Sequence, residues 1–364
     1  TLSHVDQLSY ISTNIRFRSI NATEFFFFFF FMVSSPIFED EEVAALPLDV
    51  LQTHVIPRLD GASLAATGCA SSEFRKLAGD EDLWERICIA TWPSVSDARI
   101  RSAISNFQNG YRSFFSDAYP PIPRRCTGKE RKLPLPDCKT ANLIAAIDVY
   151  HSSVPIFSRV VEITVDEGEL TCSPFRVDLM DSKYHVYATG KETGTWREEL
   201  EKEVSLSWIL IDVQRGRAVN LSSRRPVTSQ SHWLTGDMQL KFAMVIPGQK
   251  AKEWVECGAV ITLCGGKDGG DVEVREAYVG MENIEGGAVS GKVGLAILRA
   301  AMKGARRMRR GCEEDVKEMY VEFLERRQEW RLNSMRKGKA IDTTLMLVGT
   351  VVVLLFWLWL FNFF

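Results

Sequence analysis

The sequence has few of the residue groupings that enzyme active sites and metal centres need. It contains five histidines, which are widely separated, and eight cysteines, none of which forms a Cys-x-x-Cys pair. This spacing argues against a zinc site, and small buried thiols in a reduced compartment account for the cysteines. Neither a Gly-x-Ser-x-Gly nucleophile motif nor a phosphate-binding loop is present. We therefore predict a chain with no catalytic residues, no metal ligands and no cofactor.

An excess of charge of one sign is missing as well. Lysine and arginine together number 44 against 47 aspartate and glutamate residues, so the formal net charge is only -3. Nucleic-acid binding usually depends on a basic surface, and we predict no nucleic-acid partner. The chain has 364 residues, 46% hydrophobic and 25% charged, which is typical of a globular protein with room for roughly two domains.

Charge is absent altogether from residues 343–364, a run of 22 residues rich in Val, Leu, Phe and Trp. This length meets the roughly 20 apolar residues that a helix needs to span a bilayer. Basic residues precede the run at Arg331, Arg336, Lys337 and Lys339, so the positive-inside rule predicts that everything before it is cytosolic. The arrangement resembles a tail anchor, for which we favour the endoplasmic reticulum. The alternative is a buried terminal helix of the globular part.

The beginning of the chain has no recognisable packing pattern. It starts with Thr, and its first methionine is Met32, directly after seven consecutive phenylalanines at 25–31. We interpret residues 1–31 as upstream sequence and Met32 as the natural start. A signal peptide is the alternative, but Glu24 interrupts the apolar run and no small-residue cleavage site follows. Residues 32–45 form an acidic lead-in to the next segment.

The most informative stretch is 46–95, which begins LPLDVLQTHVIPRLDGASLAATGCASSEFRKLAGDEDLW. Its apolar residues recur with helical spacing, Pro57 predicts an early helix end, and Asp60 and Asp80 are candidate N-caps. The roughly forty residues at 46–84 make a poor core, so some apolar side chains are expected to remain for a partner surface. A self-contained three-helix subdomain is the alternative.

In residue order and spacing this stretch resembles an F-box, the motif that docks a Skp-type adaptor and so joins a cullin-based SCF ubiquitin ligase. Later segments, among them ICIATWPSV at 87–95 and HWLTGDMQLKFA at 232–243, resemble a plant F-box group with a C-terminal hydrophobic anchor. His54, Pro57 and Ala70 depart from the usual F-box pattern. The resemblance implies an adaptor-binding surface formed by Leu46, Pro47, Leu51, Ile56, Leu59, Leu64, Cys69, Phe74, Leu83 and Trp84.

After the F-box-like stretch the pattern changes twice. Apolar residues recurring every three or four positions predict a helical extension over 96–118. Residues 119–140 then combine five prolines with a basic cluster, which is typical of a solvated linker. A nuclear-localisation signal is the alternative interpretation of the basic cluster.

Residues 141–289 predict a β-rich domain. Many short strands without crossover helices favour an antiparallel sandwich, and the glycine run at 265–270 predicts a hairpin turn. By fold-level analogy the domain resembles the lectin-like sandwich fused to F-boxes in phloem-type plant proteins. A short helix is predicted over 195–203. The predicted strands are 142–150, 156–165, 174–180, 184–189, 204–213, 238–246, 253–264 and 271–282.

Large aromatic and basic side chains in this domain are candidates for target recognition. We assign Trp208, Arg224, Arg225 and Trp233 to a possible substrate-binding face. The alternative places the tryptophans in the core, since aromatic side chains bury a large area.

Residues 290–342 return to helical spacing and form a charged stalk ahead of the span. The predicted fold class is therefore α+β: a helical F-box, a mainly antiparallel β domain, a C-terminal helix and one transmembrane helix. We interpret the chain as a membrane-anchored, non-catalytic substrate receptor of an SCF-type ligase. Its partners would be a Skp-type adaptor, through it a cullin, an unknown protein target and the lipid bilayer. The alternative is a membrane-tethered lectin-like or protein-interaction module without a ligase role.

Overall fold

The computed structural model divides the chain into two compact units, Thr1–Phe115 and Ser116–Phe364. Several predictions fall outside the residues that it describes: the upstream segment, the acidic lead-in, Leu46, Pro47, Trp233, the glycine run and nearly all of the proline-rich linker. The described residues are 51–119, 140–166, 171–179, 187–188, 201–231, 237–250, 253–264, 272–304 and 313–363.

The described part of the first unit consists of short helices. The predicted end of the first helix near Pro57 is confirmed, because Pro57 lies in a 3-10 turn and Leu59 adopts an extended backbone. The elements in order are a π-helical turn (Leu51–Val55), a 3-10 turn (Ile56–Arg58), α1 (Gly61–Ala70), α2 (Ser72–Leu77), α3 (Glu81–Thr91), a 3-10 turn (Pro93–Ser96), α4 (Ala98–Ile104) and α5 (Gly110–Ala118).

The helical extension predicted over 96–118 forms two helices rather than one. Residues 105–109 separate α4 from α5, and Gly110 has a φ of 46°. Only glycine adopts this left-handed backbone without strain. The apolar periodicity continues across the break because Ile104, Phe107 and Phe114 are all buried in the same unit. Periodicity alone therefore conceals the turn.

The described residues of the second unit form two antiparallel sheets. The first has the strand order β2-β1-β5-β6, and the second has the order β3-β10-β9-β8-β7, with β4 also paired to β10. The strands are β1 (Thr140–His151), β2 (Val154–Asp166), β3 (Arg176–Asp178), β4 (Tyr187–Ala188), β5 (Val204–Asp212), β6 (Arg217–Asn220), β7 (Thr228–Ser231), β8 (Met238–Pro247), β9 (Trp254–Cys264) and β10 (Val272–Asn283).

The inner faces of the two sheets meet in one hydrophobic core. Alternate residues of β5, including Leu206 and Trp208, share this core with alternate residues of β8, including Leu240 and Phe242. Period-two alternation places such residues on one face of each strand, so the unit is an antiparallel sandwich.

Each of the eight predicted strands overlaps an observed strand, but β6 and β7 were not predicted. Each contains four residues, and β7 reads TSQS, without an apolar side chain. Both strands lie at a sheet edge and pair with only one neighbour. Such short edge strands show neither strong strand propensity nor a clear alternation of apolar and polar residues. β9 and β10 pair as neighbouring antiparallel strands, as the predicted hairpin requires, although the glycine turn itself lies outside the described residues.

Two long helices of the second unit lie within the described residues, α6 (Gly291–Gly304) and α7 (Glu313–Phe363). Residues 201–203 are also helical, and they are the described end of the helix predicted over 195–203. On α6, the buried Arg299 donates from Nε to the buried Asp212 of β5 at 2.9 Å. Near the start of α7, Met319, Tyr320 and Phe323 pack against Ala243, Val245 and Trp254 on the outer face of the second sheet.

None of the described residues packs around the rest of α7. Residues 328–359 are exposed without exception. The span from Val316 to Asn362 is long and apolar enough to cross a membrane, and none of its most apolar 18-residue window is buried. The alternative of a buried terminal helix is therefore wrong for this segment.

Replacing Phe323 with Ala should lower the free energy of unfolding of the second unit by about 3–5 kcal/mol, because it leaves a cavity between α7 and β8. Urea unfolding in mild detergent measures the change. Val321→Ala is the matched control on the same helix, since Val321 is 47% exposed, and it should change the free energy by less than about 0.5 kcal/mol. Equal losses in the two variants would contradict the packing described here.

Candidate functional site

A side-chain cap begins each of the helices α1, α2 and α3. Asp60 Oδ1 accepts from the backbone N–H of Ser63 at 2.7 Å and starts α1. Ser71 Oγ accepts from the N–H of Phe74 at 3.1 Å and starts α2, and Asp80 Oδ1 accepts from the N–H of Asp82 at 3.1 Å and starts α3. Such caps satisfy N–H groups that have no partner within the helix, so they fix where each helix begins. The predicted caps at Asp60 and Asp80 are confirmed.

An aromatic cluster forms the core beneath these helices. The indole N–H of Trp84 donates to the carbonyl of Ala78 at 2.7 Å, which ties α3 to the end of α2. The Trp84 ring lies 5.3 Å from the Phe115 ring, and Trp92 contacts both Phe114 and Phe115. A Cβ at Gly61 would lie 2.2 Å from the Phe115 ring, so only glycine permits this approach of α1. The core of the unit therefore holds α1 and α3 in a defined arrangement.

Polar contacts join α3 to α5. Glu81 Oε1 accepts from the backbone N–H of Tyr111 at 2.6 Å, and the Tyr111 hydroxyl donates to Glu85 at 2.9 Å. Burial raises the pKa of the Tyr111 hydroxyl, and the hydrogen bond to Glu85 raises it further. Burial also raises the pKa of the Cys88 thiol, with a smaller contribution from Glu81 and Glu85. These groups are neutral supports of the helix pair.

The predicted adaptor-binding residues separate into two groups. Leu51 and Phe74 are partly accessible, and Cys69 is exposed near the end of α1. The remaining described members are all buried: Ile56, Leu59, Leu64, Leu83 and Trp84. Buried side chains cannot touch a partner directly, so this second group belongs to the core of the unit.

The structure adds alanines that the sequence analysis did not single out. Ala62, Ala65 and Ala66 of α1 are partly accessible and lie on the same side of the helix as Cys69. Their spacing of three and four residues in GASLAATGCA was the available signal. Small side chains let another helix approach closely, because no bulky group keeps the two backbones apart. We refer to Ala62, Ala65, Ala66 and Cys69 as the small-residue face of α1.

Comparison with known proteins identifies the relatives of this chain. It is 35% identical over 337 residues to the F-box protein At2g27310 of Arabidopsis thaliana, in an alignment that covers 88% of this chain and 97% of the relative. It is 38% identical over 324 residues to the F-box protein At3g44326 of the same plant, covering 85% of this chain and 88% of the relative. This chain belongs to a plant family of F-box proteins.

A third Arabidopsis relative, the probable F-box protein At2g36090, is 36% identical over 317 residues, which cover 85% of this chain and 92% of the relative. These alignments extend far beyond the length of an F-box, so the similarity includes most of the β sandwich. No protein-family model and no solved structure matches the chain. The lectin-like character of the sandwich in this F-box protein therefore stays a prediction.

The described part of the predicted substrate-binding face is not continuous in this F-box protein. Trp208 is completely buried in the sandwich core, so its assignment to an exposed recognition face is wrong. Arg224 and Arg225 are exposed after β6, and Arg225 donates to the backbone carbonyl of Lys202. Exposure therefore leaves the two arginines as candidates for contact with a target.

A charged layer lies on the outer face of the second sheet, beside the first turns of α7. Glu256, only 1% exposed, forms ion pairs with Lys241 and, at 3.6 Å, with Arg327. Arg327 also pairs with Glu282 at 2.9 Å. Burial opposes the charge on Lys241, but Glu256 outweighs it and raises the pKa of the Lys241 ammonium group. This network connects α7 to β8, β9 and β10.

No catalytic or metal centre is evident in the part of the F-box protein that the structure describes. Within those residues no group of three His, Cys, Asp or Glu side chains is arranged to hold a metal ion. His151 pairs with Glu203 at 3.1 Å at the tip of the β1–β2 hairpin, and Ser152 donates to the same carboxylate. Glu203 lies between the serine and the histidine, so the histidine is not placed to activate the serine.

Alkylation should modify the exposed cysteines of the F-box protein faster than the buried ones. Cys69 and Cys172 are exposed, whereas Cys88 and Cys257 are buried and burial raises the pKa of both thiols. Because the thiolate is the reactive form, we expect iodoacetamide at mildly alkaline pH to modify the buried pair on the order of 100-fold more slowly. Peptide-resolved mass spectrometry measures the rates. Denaturation in urea is the control, after which all four should react at similar rates.

Proposed function

We propose that this chain is a substrate receptor of an SCF-type cullin ubiquitin ligase that works at a membrane. One observation carries the proposal: a chain related along most of its length to F-box proteins presents the small-residue face of α1 above a buried aromatic core. The chain would dock a Skp-type adaptor and, through it, a cullin.

Docking would use the small-residue face of α1 together with Leu51 and Phe74. Partly accessible apolar side chains bordered by exposed polar ones are typical of the core of a protein interface. The buried residues Leu64 and Trp84 would keep this face in shape, since Gly61 of α1 and Trp84 of α3 both lie against the Phe115 ring. Leu46 and Pro47, which lie outside the described residues, would also contact the adaptor.

The chain itself would carry out no chemistry. Ubiquitin transfer would be performed by other subunits of the ligase, and this protein would supply proximity and orientation of a target. The β sandwich is the candidate target-binding part, with Arg224, Arg225 and Trp233 as candidate contacts. An exposed arginine pair favours an acidic segment of a target protein.

The exposed part of α7 would anchor the protein in a bilayer. An uncharged run of 22 residues at 343–364 is long enough to cross the hydrocarbon core. In water the same side chains would expose a large apolar surface at high cost. The basic residues before the run favour a cytosolic position for both units.

Cys69→Arg should weaken binding of a purified Skp-type adaptor by at least about 30-fold, because it places a charge within the docking surface. Replacing Leu46 and Pro47 with alanine should also weaken binding. Isothermal titration calorimetry with the full chain in detergent measures the affinity. Ala98→Arg, at an exposed position at the start of α4, is the control and should bind normally. Unchanged affinity in the Cys69 and Leu46–Pro47 variants would count against adaptor docking at this surface.

Removal of residues 343–364 should move the protein from the membrane fraction to the soluble fraction. The full chain should resist extraction by alkaline carbonate, as integral membrane proteins do, because its apolar helix has no other way to avoid water. Fractionation followed by immunoblotting provides the measurement, and an unrelated apolar span fused after residue 342 should restore membrane association. Release of the full chain by carbonate would be evidence against the anchor.

A further inference from the structure

Basic residues on α7 have different environments along the helix. Near the sandwich, Arg326 pairs with Glu322 at 2.8 Å and Arg327 pairs with Glu282 at 2.9 Å. Further along, Arg336, Lys337 and Lys339 are exposed and form no ion pair with any described residue. No carboxylate lies four residues from any of these three, and the one carboxylate nearby is Asp342, three residues after Lys339. The three basic residues and Asp342 together carry a net charge of +2, from three positive charges and one negative.

The distance from these residues to the uncharged span matches the depth of a lipid headgroup layer. With a rise of 1.5 Å per residue, Lys339 lies about 6 Å and Arg336 about 10 Å before residue 343 along the helix axis. The headgroup layer on each side of a bilayer is roughly 5–8 Å thick. Long basic side chains extend several ångströms further, so all three charges reach that layer when the span is inserted.

The three side chains lie on one half of the helix surface. Successive residues of a helix are rotated by about 100°, so Arg336, Lys337 and Lys339 spread over an arc of about 160° of α7. Headgroups surround an inserted helix on all sides, so each of these charges can meet lipid at the depth given above. We call the three residues the basic collar.

We propose that the basic collar binds anionic phospholipid headgroups in the cytosolic leaflet and so gives the anchor a preference for anionic membranes. The proposal rests on the membrane anchoring proposed above. Phosphate and carboxylate oxygens of these headgroups match the donors of Arg and Lys, and Arg336 can bind a phosphate through two N–H groups. Attraction to an anionic leaflet is distinct from the role of the same charges in orienting the span.

The test uses the full chain reconstituted in phosphatidylcholine vesicles that contain a trace of spin-labelled lipid. Electron paramagnetic resonance reports the fraction of label that is motionally restricted by the protein, for labelled phosphatidylserine and labelled phosphatidylcholine separately. We expect a preference for phosphatidylserine of about fivefold at low salt, which should fall toward one when salt screens the charges. The triple variant R336Q/K337Q/K339Q should lose most of this preference.

The triple variant K202Q/K250Q/K303Q is the matched control, because it removes the same charge from exposed positions elsewhere in the second unit. It should keep the preference. The proposal would be overturned if both variants lost the preference for phosphatidylserine equally. It would also be overturned if the unmodified chain showed no such preference. A competition with inorganic phosphate gives a further outcome. If phosphate displaces labelled lipid more than chloride does at equal ionic strength, the site binds a free anion, and the proposal is overturned too.

Carbonate extraction of the same vesicles separates failure of the collar from failure of the anchor. A chain that resists extraction but shows no lipid preference contradicts the collar alone. If carbonate extracts the chain, both the proposed membrane anchor and the proposed lipid binding by the basic collar are contradicted.

Discussion

A buried carboxylate on β9 links the sandwich to the long helix. Glu256 is almost completely inaccessible to water, and its charge is balanced by Lys241 from β8 and Arg327 from α7. Removing a charge from water is costly unless opposite charges replace the hydration, so the carboxylate needs both cations nearby. Arg327 can supply one of them only if the first turns of α7 lie on the second sheet. Phe323 and Tyr320 fill the apolar part of the same contact. The direction in which the exposed helix leaves the sandwich therefore depends on this contact.

The first unit has a different constraint, because its few residues must form a core and, in the proposed function, a docking surface as well. Its large aromatic side chains are used inside, where Trp84, Trp92, Phe114 and Phe115 contact one another. Its small side chains remain outside on α1. This division explains why the accessible surface can be apolar without large exposed side chains. It also suits a partner helix that packs closely.

The sequence was sufficient for features that depend on composition or on local chemistry. A run of 22 uncharged residues, the caps Asp60 and Asp80, and the alternation of the longer strands each have a direct physical signature. The sequence was insufficient where one pattern, such as helical spacing of apolar residues, is compatible with two different roles. Leu64 and Trp84 have the helical spacing of both core and docking residues, and only burial separates the two roles. Trp208 was misjudged because both faces of β5 are covered, so every residue of that strand is buried. β6 and β7 are too short to show a period at all.

The central claim is that one chain brings a ubiquitin ligase to a membrane. Proximity labelling tests it most directly, with a biotin ligase fused before the F-box of the full chain and of a chain that ends at residue 342. The account predicts that a Skp-type adaptor and a cullin are labelled in both cases, while integral membrane proteins are labelled only with the full chain. Absence of the adaptor in both cases, or the same membrane neighbours with and without the span, would contradict it.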